Sequence, residues 1–290
     1  MTGDRPLLPS HDLAARVAEA VAAIRARTPL VPRIALTLGS GLGRVIDALE
    51  NAVGFPTAEL PHWPPSTVIG HAGRVALGNW RGTPVVMLAG RSHRYEGYAL
   101  DRVTFGVRVM HALGARTLLF TNAVGALRPG IAPGDVMLAT DHINFIGKRG
   151  LFAPQELRER RLGRRVASPY SPRLQAALSA AAARAGVALR RGTLMGSHGP
   201  TYETAAEVQM AIALGADVAC MSTVHEVTVA AELGGEVASL SCVTNRATGL
   251  SNVPLTHAEV TEVANRVATR LQAILEEFLA SEHGGAPIAG

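Results

Sequence analysis

The stretch from Gly199 to Asn245 constrains the fold more than any other, because it joins two short apolar runs through a helical segment. Thr204 and Glu207 have the Thr-x-x-Glu spacing of a capping box, which predicts a helix starting at Ala205 and stopped by Gly215. Val218 to Met221 is continuously apolar between polar residues, the pattern of a strand buried on both faces. A second helix is expected from about Val224 to Leu233, ended by Gly234-Gly235, and Val237 to Val243 reads as another buried strand. Strand, helix and strand make a βαβ unit, and in open α/β sheets ligands sit beyond the carboxyl ends of the strands. Tyr202, Glu203, Ser222 and Asn245 are the polar residues left at those ends.

The alternation extends upstream. His11 to Arg27 follows an amphipathic helical pattern, and Ile34 to Leu38 is a strand running into Gly39-Ser40-Gly41-Leu42-Gly43. Glycines at such a turn leave backbone N–H groups for an anion, and they serve a plain tight turn equally well. The spacing is neither Gly-x-Gly-x-x-Gly nor a Walker sequence. Val75 to Gly78 and Val85 to Ala89 read as strands, the second ending on Gly90 to Tyr98. There Arg91 offers a planar fork for a phosphate and His93 a second donor. Thr117 to Phe120 delivers Thr121 to Gly125, and Val136 to Ala139 precedes Asp141-His142-Ile143-Asn144. Without a Gly-x-Ser-x-Gly elbow, Asp141 and His142 are expected to make structural hydrogen bonds. Helices are expected over Arg102–Leu113, Arg173–Ala185 and His257–Ala280, with Gly192 to Met195 a short strand and Gly147 to Pro172 an excursion. The expected fold is α/β: a single domain over residues 1–290, with flexible tails at 1–10 and 282–290 and a central mixed, largely parallel sheet flanked by helices.

Composition excludes some functions. Hydrophobic residues make up 48% of the chain, yet no apolar run approaches the ~18 residues of a membrane span, and no signal pattern opens it. No membrane role and a cytoplasmic setting are therefore expected. The net charge of +5 raises nucleic acid as a partner, but the basic residues are scattered. Their one cluster, Arg158 to Arg165, lies beside Glu156 and Glu159 and lacks aromatic companions, so no nucleic-acid partner is expected. Cys220 and Cys242 fall inside predicted strands as inert buried thiols, and no metal-ligand spacing exists.

Taken together, the strand ends send Ser40, Arg91 with His93, Asn122, Ser222 and Asn245 towards one face of a sheet. Serines, an arginine, a histidine and a glycine loop suit one phosphate. A Glu and an Asn beside Tyr202 suit a heteroaromatic ring, the carboxylate accepting from a ring N–H and the amide both donating and accepting. A phosphate beside a base, with neither metal ligands nor a serine triad, points to phosphate as nucleophile.

The chain resembles the purine nucleoside phosphorylases of the smaller, trimeric class. The resemblance rests on Leu38 to Gly43, Gly70-His71-Ala72-Gly73, Gly90 to Tyr98, Thr121 to Gly125, Asp141 to Asn144, Gly199 to Thr204, Met221 to Glu226 and Val243-Thr244-Asn245, in the family's order. Carried over by position, it implies that Ser40, His71, Arg91, His93, Ser222 and the backbone of Ala123 hold phosphate. Tyr95, Met221 and His257 would hold ribose, while Tyr202, Glu203, Thr244 and Asn245 would hold the purine, with Asn122 also at the substrate. Asn245, Glu203 and His93 would be the catalytic groups. The implied reaction is reversible phosphorolysis of purine ribo- and deoxyribonucleosides, inosine and guanosine preferred, by a homotrimer that needs no cofactor beyond the co-substrate phosphate. A methylthioadenosine or methylthioinosine phosphorylase is the alternative; the methylthioadenosine branch typically has Thr at the Ser222 position and Asp at the Asn245 position. This chain departs from the family pattern over Phe145 to Phe152 and over Arg165 to Tyr170, and Ser197-His198 is more polar than the pattern at that place.

Overall fold

The structure is a computed structural model and describes residues 12–68, 73–147, 168–251 and 257–283. The 1–10 tail, His71, the Arg158–Arg165 cluster and most of the departing 145–170 segment lie outside the described residues.

Elements follow in the order α1 (Leu13–Arg25), β1 (Ile34–Leu38), β2 (Glu50–Pro56), β3 (Arg74–Trp80), β4 (Thr83–Ala89), α2 (Leu100–Val103), α3 (Phe105–Ala112), β5 (Thr117–Ala126) and β6 (Val136–Asn144). They continue with α4 (Pro172–Arg184), β7 (Leu189–Gly196), α5 (Ala205–Ala213), β8 (Val218–Cys220), α6 (Val224–Glu232), β9 (Glu236–Arg246) and α7 (His257–His283). A 3-10 turn at Gly43–Ala48 follows the glycine loop.

One nine-stranded mixed sheet carries the described strands in the order β2-β3-β4-β1-β5-β8-β7-β6-β9, and β9 returns to pair with β5. β1 is parallel to β4 and β5, and β5 to β9; the β3–β4 hairpin turns through Arg81 and Gly82 at φ +50 and +75, as a two-residue turn matched to strand twist requires. The sheet thus has an open half and a half that closes on itself through β5, β8, β7, β6 and β9. Closure depends on irregular strands. Register shifts leave Thr244 of β9 and Thr140 of β6 as extra residues that bend those strands, and the last residues of β5 meet β8 antiparallel while still paired with β9.

Because successive side chains point to opposite faces, each doubly buried strand feeds two cores. Ala35, Val86, Leu88, Leu118 and Phe120 pack with Ile24 of α1, Val107 of α3 and Val227 of α6. Ile34, Leu36, Leu38, Met87 and Leu119 pack with Leu178 of α4 and with Leu271, Ile274 and Phe278 of α7. Such burial contributes about 1.5–3 kcal/mol for each large side chain, which makes these faces the main source of stability. α7 runs on to His283, with Glu282 paired to Arg173 at 2.9 Å. The predicted capping box is present: Thr204 Oγ1 accepts from Glu207 N–H at 3.3 Å, and Glu207 accepts from Thr204 N–H at 2.7 Å.

Candidate active site

A cavity of about 140 Å³ opens where the two halves of the sheet meet, and Ser40, Arg91, His93, Tyr95, Asn122, Ala123, Tyr202, Glu203, Met221, Ser222, Thr244 and Asn245 line it. His71 lies outside the described residues. His257 is the first residue of α7, and its side chain also lies outside what is described.

The floor of one end is built around Thr121. Its hydroxyl donates to Thr37 O at 3.0 Å and accepts from Gly39 N–H at 3.1 Å, tying the glycine loop to β5. A Cβ at Gly39 would sit 2.7 Å from Thr121 O and 2.9 Å from Asn122 Cα, so only glycine allows this approach. Gly90 N–H donates to Leu38 O at 3.0 Å, which places Arg91 beside the same loop. The Arg91 guanidinium donates to Thr121 O at 2.8 Å through Nη1 and lies 3.1 Å from Glu226 through Nε. Both side chains are buried, at 3% and 1% exposure, so this ion pair is shielded from solvent.

His93 stacks on Tyr95 with ring centroids 4.8 Å apart at 14°. Its Nδ1–H donates to Glu96 at 3.2 Å, which turns Nε2 away from that carboxylate. Burial alone would raise the Glu96 carboxyl, but hydrogen bonds from His93 and Thr67 outweigh it and hold the group at about 2. Tyr95 is pushed up to about 12, by burial first and the Glu96 charge second.

Ser222 enters from the turn between β8 and α6. Thr223, next to it, holds φ at +71, a left-handed value that costs a β-branched residue about 1–3 kcal/mol. Its partners hold it there: Asn122 Nδ2 donates to Thr223 Oγ1 at 3.0 Å, Ser222 Oγ lies 3.1 Å from the same oxygen, and Thr223 N–H donates to Glu226 at 3.2 Å. Asn122 Oδ1 is buried with no protein partner among the described residues.

The other end of the cavity carries a carboxylate and a carboxamide. Asn245 Oδ1 accepts from Thr244 Oγ1 at 2.8 Å, so Nδ2 is the atom left to donate, one of its hydrogens reaching Arg246 O at 3.0 Å. Glu203 Oε1 accepts from Ser197 Oγ at 2.6 Å. Tyr202 is 45% exposed beside them. Among the described residues no group of His, Cys, Asp and Glu is placed to hold a metal ion. Cys220 and Cys242 are buried free thiols, pushed up by burial to about 11 and about 12.

The described candidates are therefore brought together, with one difference from expectation. Asn122 and Asn245 lie within β5 and β9 instead of beyond their ends, and Asn245 pairs with Gly125, where β5 also meets β8. As expected, Asp141 and His142 stay outside the cavity in structural hydrogen bonds: Asp141 accepts from His142 N–H at 2.9 Å, and the His142 ring meets the Tyr170 hydroxyl at 3.2 Å. Four supporting residues carry no assignment from the sequence: Glu96, Ser197, Thr223 and Glu226. Glu226 stands three residues after Thr223, the same Thr-x-x-Glu spacing that marks Thr204 and Glu207, and Glu96 stands three after His93. That spacing is the signal by which Glu96, Thr223 and Glu226 could be found, and Ser197 carries no such signal.

The chain belongs to the phosphorylase superfamily, whose family model matches residues 33–280. It is 42% identical over 254 residues to purine nucleoside phosphorylase 1 of Geobacillus stearothermophilus, covering 87% of this chain and 92% of that one. Purine nucleoside phosphorylase 1 of Bacillus subtilis (strain 168) is 40% identical over 265 residues, covering 91% and 98%. A crystal structure of schistosoma purine nucleoside phosphorylase in complex with hypoxanthine aligns with a TM-score of 0.85 at 30% identity, covering 92% of this chain and 96% of that one.

Proposed function

We propose that the chain catalyses reversible phosphorolysis of purine ribo- and deoxyribonucleosides, preferring 6-oxopurines, and releases the free base and the sugar 1-phosphate. The observation that carries this reading is a single cavity with Arg91, His93, Ser40 and Ser222 at one end and Glu203 and Asn245 at the other. Phosphate held by the first group has its oxygen aimed at C1′ of a nucleoside whose base rests on the second, and such positioning replaces a bimolecular encounter by an intramolecular one. The C–O bond forms as the C1′–N9 bond breaks through an oxocarbenium-like state, and the electron pair of the broken bond passes to the purine. Asn245 Nδ2, its orientation set by Thr244, donates to N7 as that charge grows. Glu203 accepts from N1–H. Ribose lies between, against Tyr95 and Met221, with His257 and His71 as the further contacts the resemblance implies. Phosphate is the co-substrate, and none of these steps calls for a cofactor. A homotrimer working in the cytoplasm, with no nucleic-acid or membrane partner, completes the reading.

Schistosoma relatives are seen with hypoxanthine in one complex and adenosine in another, so the choice of 6-oxopurines rests on Glu203 and Asn245. The methylthioadenosine alternative is disfavoured by Ser222 and Asn245. Side-by-side phosphorolysis of inosine, guanosine, adenosine and methylthioadenosine tests both. Adenosine lacks N1–H and sets a lone pair against Glu203, a mismatch that costs on the order of 10⁴-fold in a site built around hydrogen bonds. Turnover of adenosine or methylthioadenosine equal to that of inosine would overturn the assignment of Glu203 and Asn245.

A further inference from the structure

We propose that Ser197 is a positioning residue for base recognition, acting by holding the Glu203 carboxylate in the orientation that meets a ring N–H. The inference rests on the reading of Glu203 as the acceptor for the purine.

Ser197 is the first residue after β7, and its backbone extends that strand's pairing by donating N–H to Cys220 O at 2.8 Å. This anchors the Cα beside β8, while Glu203 sits on the loop ahead of α5. The hydroxyl lies 2.6 Å from Glu203 Oε1 and 3.3 Å from Cys220 O, and the shorter contact places its proton on the carboxylate side. Among the described residues no other group hydrogen-bonds to Glu203. A glutamate on a loop otherwise has three side-chain torsions to lose when a ligand arrives, and fixing them beforehand converts that entropy into affinity. With Oε1 engaged by Ser197, Oε2 is the oxygen presented to the ligand. Gly199, two residues on, fits between Met221 and Tyr95, where a Cβ would come within 2.5 Å of Met221 Sδ. The backbone between Ser197 and Glu203 is therefore pinned within this short loop, and the serine hydroxyl is the remaining device that sets the carboxylate itself.

The consequence is selective. Ligands carrying a ring N–H opposite Glu203 depend on Ser197, and ligands without one do not. Calorimetric titration of the full chain with hypoxanthine, unsubstituted purine and inorganic phosphate reads this directly, since hypoxanthine has the N1–H and purine lacks it. Ser197→Ala is expected to weaken hypoxanthine about tenfold while purine and phosphate stay within about twofold. Ser197→Thr keeps the hydroxyl and is expected to restore hypoxanthine binding to within about threefold of wild type. In kinetics with inosine the loss falls on KM rather than kcat. In a Glu203→Ala background, Ser197→Ala is expected to add nothing further. Equal losses for hypoxanthine and purine, or an unchanged hypoxanthine affinity in Ser197→Ala, would overturn the proposal while leaving the base site intact. Unchanged hypoxanthine affinity in Glu203→Ala would instead overturn the base-site reading itself, and the proposal with it.

Discussion

Glu226 does not line the cavity, yet Arg91, which does, depends on it. The two side chains form a buried pair at 3.1 Å with 3% and 1% exposure, and Glu226 also accepts from Thr223 N–H. Glu226→Gln keeps the shape and an acceptor for Thr223 but leaves the guanidinium charge uncompensated inside the protein. At 3.1 Å and an effective dielectric near 20 the lost attraction is about 5 kcal/mol. Breaking buried pairs from one side typically costs about 3–5 kcal/mol, in agreement. For a chain of 290 residues, with about 2 °C lost per kcal/mol, the melting temperature should fall by about 6–10 °C in phosphate-free buffer. Phosphate should then narrow the gap. In the wild type an incoming anion meets Arg91 already neutralised and meets the Glu226 charge as well; in the variant it supplies the missing counter-charge, and binding to the folded state stabilises it in proportion. Scanning calorimetry across a phosphate series tests both parts. A variant that melts within about 2 °C of wild type without phosphate would refute the reasoning, because the pair would then be energetically idle.

Thr244→Val removes the hydroxyl that fixes the Asn245 amide at 2.8 Å, so steady-state assays with inosine should show kcat lowered about tenfold with a smaller change in KM; an unchanged kcat would show that the amide needs no such restraint. Gly39→Ala drives a Cβ to 2.7 Å from a backbone oxygen of β5, and urea denaturation should report a loss of about 1–3 kcal/mol, an unmoved midpoint counting against the close fit. His225 is fully buried, with no hydrogen-bond partner on either ring nitrogen among the described residues, and is pushed down to about 3 by burial first and by Arg91, His93 and His142 after it. Its unfolded form takes a proton near 6.5, so the unfolded state binds more protons between about 3 and 6.5, and stability falls as pH falls through that window. His225→Leu should therefore lose about 2 kcal/mol less than wild type between about pH 7 and pH 5, and parallel curves would refute it.

Elements with strong local chemistry are legible in the chain. The capping box at Thr204 and Glu207, the glycine stop at Gly215 and the apolar run of β8 are each set by a few adjacent residues, and all three are present in the fold. Strand ends are not legible in this way. The apolar runs of β5 and β9 stop at Phe120 and Val243, where polar residues begin, but the strands run on to Ala126 and Arg246. The Thr121 hydroxyl and the Asn122 amide nitrogen find partners in β1 and α6's entry turn, and the Thr244 hydroxyl lies 3.2 Å from Val124 O of β5, none of which a local pattern announces. β2 gives no strand signal because four of its seven residues are exposed and it sits at the sheet edge, so it lacks an apolar alternation. The lining residues of the site stand out because they sit in dense polar clusters. Their supports are harder to see, since Glu226 acts on Arg91 across 135 residues of sequence.

The return of β9 to β5 also governs when the site can exist. Thr244 reaches Val124 across 120 residues, and the two strands pair along their length. Loop closure of that size must precede any gain from the contact, and topologies rich in such pairings fold slowly. During synthesis the chain therefore carries β1, β4 and β5 with an unpaired strand edge until β9 has emerged, a stage at which Arg91 is present but the turn holding Ser222 and the amide of Asn245 have no sheet to stand on. Catalytic competence arrives with the last quarter of the chain, and the nascent protein depends on whatever shields that edge in the interval.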